Sequence, residues 1–285
     1  MLDQTRASTA EASLEIPVYD SAQPRLPFLA ELQDLVRYRD LLQQLIVRNI
    51  KTRYKRSVLG ILWTLLNPLL MMIVMTLVFS NIFRIQTTNY PVYALCGLVL
   101  WNFFAQTTMG AMSDLLWGGS LMNRIYLPRA IFAVSAMGTG LVNLILSLIP
   151  LFLLMLVRGV PIKLVILFVP VAILLTAMFA LGVALFLSTL VIQFSDVFEM
   201  YQIALTAWMY LTPVFYPKES LPPRLLWLMN LNPMYHLLEL FRVPLHSGVL
   251  AGPKTVGAAA LSAVITLLIG WWFFARKADE FAYRV

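Results

Sequence analysis

A chain of 285 residues that is 60% hydrophobic and 12% charged departs from soluble domains, which average about 45–50% apolar and about 25% charged. Its mean hydropathy of +0.79 also excludes a disordered chain, because disorder needs low hydrophobicity and high net charge. The apolar material has to face lipid, and the formal net charge of +7 is read from where the basic residues fall, as a topological marker rather than a sign of nucleic acid.

Residues 1–30 are polar, contain Pro17, Pro24 and Pro27, and show no helical period, so a mobile cytoplasmic tail is expected. They lack the apolar stretch of a secretory signal. Over residues 31–56 the pattern changes. Leu32, Leu35, Val36, Leu42, Leu45, Ile46 and Ile50 fall on one helical face, and Arg37, Gln44, Arg48, Lys51 and Lys55 fall on another. A basic amphipathic helix of this kind is expected to lie along the headgroups of an anionic leaflet, as an anchor or as a gating element.

Residues 57–285 read as one membrane domain. A helix crosses ~30 Å of hydrocarbon in about 20 apolar residues, and six spans are expected. Five are clear, over residues 59–83, 91–113, 131–157, 164–191 and 255–275. The fifth in chain order, 197–214, is shorter and runs into Thr212-Pro213-Val214-Phe215-Tyr216-Pro217, where two prolines should break it. Residues 221–245 are apolar but interrupted by Pro222, Pro223, Pro233 and Pro244. They predict short external re-entrant half-helices packed against the bundle, since broken backbone at membrane depth needs protein or water to satisfy it.

Sidedness follows from Lys and Arg, which are retained in the cytoplasm. Arg37, Arg39, Arg48, Lys51, Arg53, Lys55 and Arg56 precede the first span, and Arg84 alone separates it from the second. Both termini are therefore expected to be cytoplasmic, in keeping with Arg276, Lys277 and Arg284 beyond the last span. Arg158 and Lys163 run against this bias in a short external loop.

Several chemistries lack their groups. Cys96 is the single cysteine, so no disulfide framework or cysteine metal site is expected. The run from Gly248 to Thr255 only approaches a phosphate loop, with Pro253 where other chemistry is needed. Gly138-Thr139-Gly140 is better explained by close helix packing than by nucleotide binding, and Ala180, Ala184 and Ser188 follow the same small-residue logic. No span interior holds an ionisable group, which disfavours proton coupling. His236 and His246 have no acidic partner at metal-ligand spacing, and no nucleophile stands beside a base.

Arg53-Tyr54-Lys55-Arg56-Ser57-Val58-Leu59-Gly60-Ile61-Leu62-Trp63 with Asn67-Pro68-Leu69, then Tyr93, Gly97, Leu98 and Trp101-Asn102-Phe103-Phe104, are similar to one family. So are Asn123-Arg124-Ile125-Tyr126-Leu127-Pro128-Arg129, residues 212–217 and Leu231-Asn232-Pro233-Met234. In this order the chain resembles permease subunits of ABC-2-type exporters for polysaccharides, which serve O-antigen, capsule and teichoic acid. Ser195 before Asp196 departs from the Arg of many relatives.

The resemblance implies a homodimer of permeases bound to two cytoplasmic ATPase subunits, which hold the ATP and Mg that this chain does not. It implies a coupling helix at Ser120, Leu121, Asn123, Arg124, Ile125, Tyr126 and Pro128, with Ser195 and Asp196 in a second inner loop. The expected cargo is a lipid-linked glycan crossing the bacterial cytoplasmic membrane; a lipid, drug or peptide cargo is the alternative, with an ion-coupled flippase behind it. Trp101, Phe104, Tyr201, Trp208 and Phe215 suit either a glycan channel, where flat rings meet sugar C–H faces, or plain packing. Asn67-Pro68 is expected to kink the first span. In the re-entrant segment, with Pro213, Tyr216, Asn232 and Pro233, the residues Glu239 and Arg242 are expected to pair or to bond freed carbonyls.

Overall fold

The computed structural model describes residues 35–82, 87–122 and 130–277. Every regular element among the described residues is helical. In chain order these are α1 (Arg39–Arg53), α2 (Leu62–Thr76, continued by a π-helical turn Leu77–Ile82), α3 (Tyr90–Met122) and α4 (Ala130–Val157). Then follow α5 (Val169–Gln193), α6 (Val197–Leu211), α7 (Leu226–Leu231), α8 (Pro233–His246) and α9 (Pro253–Lys277).

Five stretches are long and apolar enough to cross a membrane: Leu62–Ser80, Tyr90–Leu116, Ala130–Val157, Leu164–Gln193 and Pro253–Lys277. They coincide with the five clear spans of the sequence. Residues 197–214 differ, because α6 has 15 residues and so reaches ~22 Å at 1.5 Å per residue, short of ~30 Å of hydrocarbon. It stops where Thr212 turns extended (φ −101, ψ 134); Pro213 follows, and a residue before proline is pushed out of the helical region. The chain between 221 and 245 contains no piece long enough to span, and breaks into the six-residue α7 and the fourteen-residue α8. The start of α8 is set locally: Asn232 caps it by accepting from Met234 N, and Pro233 occupies its first turn.

The bundle is built around α3. Some 78% of its most apolar window is buried, against 11% for α2 and 28–39% for α4, α5 and α9. The outer helices keep aliphatic faces turned outward, such as Ile145, Ile149, Leu153 and Leu156 of α4, whose spacing of three and four residues defines one stripe. Such a stripe has no place in water but suits lipid. Packing between α5 and α9 depends on glycine. A β-carbon at Gly270 would collide with the carbonyl of Gly182, and one at Gly182 with the backbone of Thr266 and Leu267. Small residues thus bring two backbones together where no hydrophobic force separates helix from lipid. The expected close packing at Gly138-Thr139-Gly140 is present, with Gly138 against Ile46 of α1 and Gly140 against Thr107 and Phe103 of α3.

Two ends of the bundle can be told apart. At one, Phe79 stacks on Tyr90 and on Phe215; we call it the Tyr90 end. At the other, Leu45 of α1 is buried with Leu115 of α3 and Ile131 and Phe132 of α4. This changes the reading of the amphipathic helix. Its apolar stripe is covered by protein at Leu45 and Ile46 instead of being left for headgroups, while Val36, expected on that stripe, is 70% exposed. Apolar surface goes to whichever neighbour excludes water, and here α3 and α4 are that neighbour.

Candidate functional site

The break after α6 leaves backbone carbonyls without helical partners, and burying them unpaired would be costly. Residues 212–215 are nonetheless buried. Four consecutive carbonyls, 213 to 216, are met by side chains from α3 and α8. Arg242 donates NH1 to Pro213 O at 2.9 Å and NH2 to Val214 O at 3.0 Å. Tyr90 OH donates to Phe215 O at 2.7 Å, and Tyr93 OH to Tyr216 O at 2.9 Å.

Arg242 is the centre of this knot. It is 2% exposed, which a guanidinium tolerates only when its charge is offset; its two terminal nitrogens are bonded, while Nε has no hydrogen-bond partner. Glu239 lies 3.6 Å away, one turn earlier on α8. The guanidinium also sits over the ring of Tyr93, 3.9 Å from the centroid, where the negative π-face adds attraction of ~2 kcal/mol in a dry setting. Gly97 makes room for all of it, since a β-carbon there would come within 2.6 Å of both Arg242 NH2 and Val214 O. Glu239 and Arg242 thus pair, and the arginine also bonds the carbonyls of Pro213 and Val214.

Asn232 ties the other side of the break. Its Oδ1 accepts from Trp208 Nε1 at 2.9 Å and from Met234 N at 3.1 Å, while Nδ2 donates to Thr212 Oγ1 at 2.9 Å. Tyr216 OH donates to Tyr210 O at 2.6 Å. His246 reaches back from the end of α8 to Thr88 O at 2.7 Å and meets the Tyr93 ring edge-on. Burial pushes its imidazole below the ordinary histidine range; Arg242 adds to this, and the bond to Thr88 opposes it.

Three of the aromatic residues named from the sequence, Trp101, Phe104 and Trp208, come together within the chain. Trp208 packs edge-on against Trp101 and Phe104, and Phe104 stacks on Phe179. Trp101, Phe104, Tyr201 and Phe215 are buried and Trp208 is half-buried. Phe215 lies apart from the others, between Phe79 and Tyr210. Tyr201 ties α6 to α3 through its bond to Thr108 Oγ1 at 2.9 Å. Beyond this seam α6 is open: Gln202, Ile203, Ala204, Thr206 and Ala207 are exposed.

At the opposite end, Ser120 and Leu121 belong to the last turn of α3, which runs on through Gly118 and Gly119. Asn123, Arg124, Ile125, Tyr126 and Pro128 lie outside the described residues. Ser195 and Asp196 are exposed in the turn between α5 and α6, with Phe198 N bonded to Ser195 O and Met200 N to Asp196 O.

Sequence reasoning missed Tyr90, which binds a carbonyl 125 residues away, and the polar contacts of α1. Asn49, Gln106 and Asn143 carried no signal beyond being polar in or beside apolar runs, which is itself the sign of a bonded group.

The similarities to known proteins cover nearly all of this architecture. A family model described as ABC-2 type transporter matches residues 40–245. The O-antigen export system permease protein RfbA of Myxococcus xanthus is 31% identical over 261 residues, covering 89% of this chain and 98% of that protein. A protein of the same name from Klebsiella pneumoniae is 24% identical over 244 residues, 85% of this chain and 94% of its own. The capsule polysaccharide export inner-membrane protein CtrC of Neisseria meningitidis serogroup A is 24% identical over 252 residues, 86% and 94% of the two chains. The matched family segment begins in α1 and ends in α8, so it takes in the bundle axis, the broken segment and the buried arginine alike, and this chain belongs to the ABC-2 type transporter family.

Proposed function

We propose that this chain is the membrane subunit of an ATP-driven exporter that moves a lipid-linked polysaccharide of the O-antigen or capsule type outward across the bacterial cytoplasmic membrane. The observation that carries the reading is the near full-length similarity to permeases of two polysaccharide export systems. The chain itself performs no bond chemistry in this reading. ATP and Mg are held by two cytoplasmic ATPase subunits, which engage the segment from Ser120 to Pro128 and the turn at Ser195 and Asp196.

The α1 end is the cytoplasmic one. Arg48, Lys51, Lys55 and Arg56 near α1 and Arg276 and Lys277 at the end of α9 give it the positive flank that is retained inside. The short α6 completes a sixth crossing together with the extended chain at 212–217, and α7 and α8 re-enter from outside.

Two copies of the chain work together. Asn67 on α2 and Gln202 and Thr206 on α6 are exposed within one protomer, although polar side chains are poor neighbours for lipid tails. A second copy meeting α2 and α6 would cover them and leave a path between the protomers, with Trp208 at its margin as a flat surface on which sugar rings can slide.

The test is reconstitution of the chain with its ATPase in liposomes loaded with undecaprenyl-linked glycan. ATP-dependent movement of the glycan is expected. Movement of lipid, drug or peptide alone would reassign the cargo, and solute pumping by vesicles without the ATPase would overturn the reading.

A further inference from the structure

A set of side-chain bonds joins α1 to the bundle in a way that apolar packing does not require. Asn49 Nδ2 donates to Asp114 Oδ2 at 2.7 Å. One helical turn further, Arg53 NH1 donates to Gln106 Oε1 at 2.8 Å. The same Oε1 accepts from Asn143 Nδ2 of α4 at 3.1 Å. Asn49 and Arg53 are four apart and share a face of α1; Asp114 and Gln106 lie eight apart on α3, roughly 12 Å along its axis.

One tie would leave α1 free to swivel. Two ties at different heights, with Ile46 seated against Gly138, fix both its angle and its register. Leu45 already supplies burial, so aliphatic residues would hold α1 in place at less cost in desolvation. What hydrogen bonds add over aliphatic contact is direction.

We propose that Asn49, Arg53, Gln106 and Asp114 are positioning residues that, with Asn143 bonded to Gln106, lock α1, the second half of α3 and the first half of α4 into one rigid lever. The proposal rests on the reading above that an ATPase acts on the segment following α3. Motion delivered there carries α1 along as part of the same body, instead of sliding past it.

Two experiments on the complex with its ATPase test this. Gln106→Leu removes the oxygen that Arg53 and Asn143 share, whereas Gln106→Glu keeps an acceptor for both. Gln106→Leu should lower glycan exported per ATP hydrolysed by about tenfold, within the usual range of coupling between sites, while ATP turnover holds. Gln106→Glu should recover most of that ratio. Equal losses of turnover and export, or failure of Gln106→Glu to recover, would overturn the assignment.

The second experiment does not depend on cargo. Asn49→Cys with Asp114→Cys, on a Cys96→Ala background, is cross-linked in the nucleotide-free and ATP-bound complex. A rigid lever gives equal yield in both states and full export after cross-linking. Nucleotide-dependent yield, or export stopped by the cross-link and restored by reductant, rules the lever out. If the unmodified complex moves no polysaccharide, the export reading fails, and the cross-link yields still decide whether the lever exists.

Discussion

The two ends of α3 hold their neighbours by different means. At the Tyr90 end, Tyr90, Tyr93 and Arg242 donate to backbone carbonyls of a chain that has left its helix. At the α1 end, the bonds run from side chain to side chain, Asn49 to Asp114 and Arg53 to Gln106, in half-exposed surroundings. A carbonyl cannot find another partner without moving the main chain, while a half-exposed side chain can exchange its partner for water. The Tyr90 end is therefore built to stay as it is. The α1 end is held by several bonds at once, and losing any single one of them costs less because water can take its place.

Three changes would break or sharpen that contrast. The largest effect is expected from Arg242→Ala, which strips two buried carbonyls of their donors and leaves Glu239 without its partner. Loss of a buried charged partner costs about 3–5 kcal/mol, so a large fall in Tm in detergent is expected; a Tm within a degree of the parent would mean the knot does not hold the fold. Asn49→Ala should be milder, about 1 kcal/mol, because water can replace the amide at Asp114. Equal Tm losses from the two substitutions would erase the distinction between the ends.

The smallest effect concerns pH. His246 has a folded pKa below its ordinary value of 6.5, so the unfolded chain binds the proton more readily than the folded one. Its contribution to stability is present above the unfolded value and is lost as pH falls below it. Tm should therefore decline as pH is lowered from 7 through 6, and His246→Gln, which keeps a donor for Thr88 O, should flatten that decline. A slope unchanged by this substitution would show that other groups cause it.

Crossing a membrane is a local property of about 20 residues, and for that reason five spans were legible in the sequence. The break at residues 212–217 was legible for the same reason, because Pro213 restricts Thr212 directly. Pairing of Glu239 with Arg242 could be read from a spacing of three residues on one helix. The clustering of Trp101, Phe104 and Trp208 against one another could not, because rings at helical spacing look alike whether they face a path or each other.

By itself the amino-acid order determined an all-helical membrane chain, its clear spans, the place where the fifth gives way and the face of α1 that is apolar. Tertiary structure alone decided what covers that face, namely α3 and α4, which carbonyls Arg242 reaches, and that Tyr90 and Tyr93 answer the others. Those partners lie 28 to 125 residues away, and no local period encodes them. Burial selects them: a carbonyl withdrawn from water must be met by whatever donor the folded helices bring within reach.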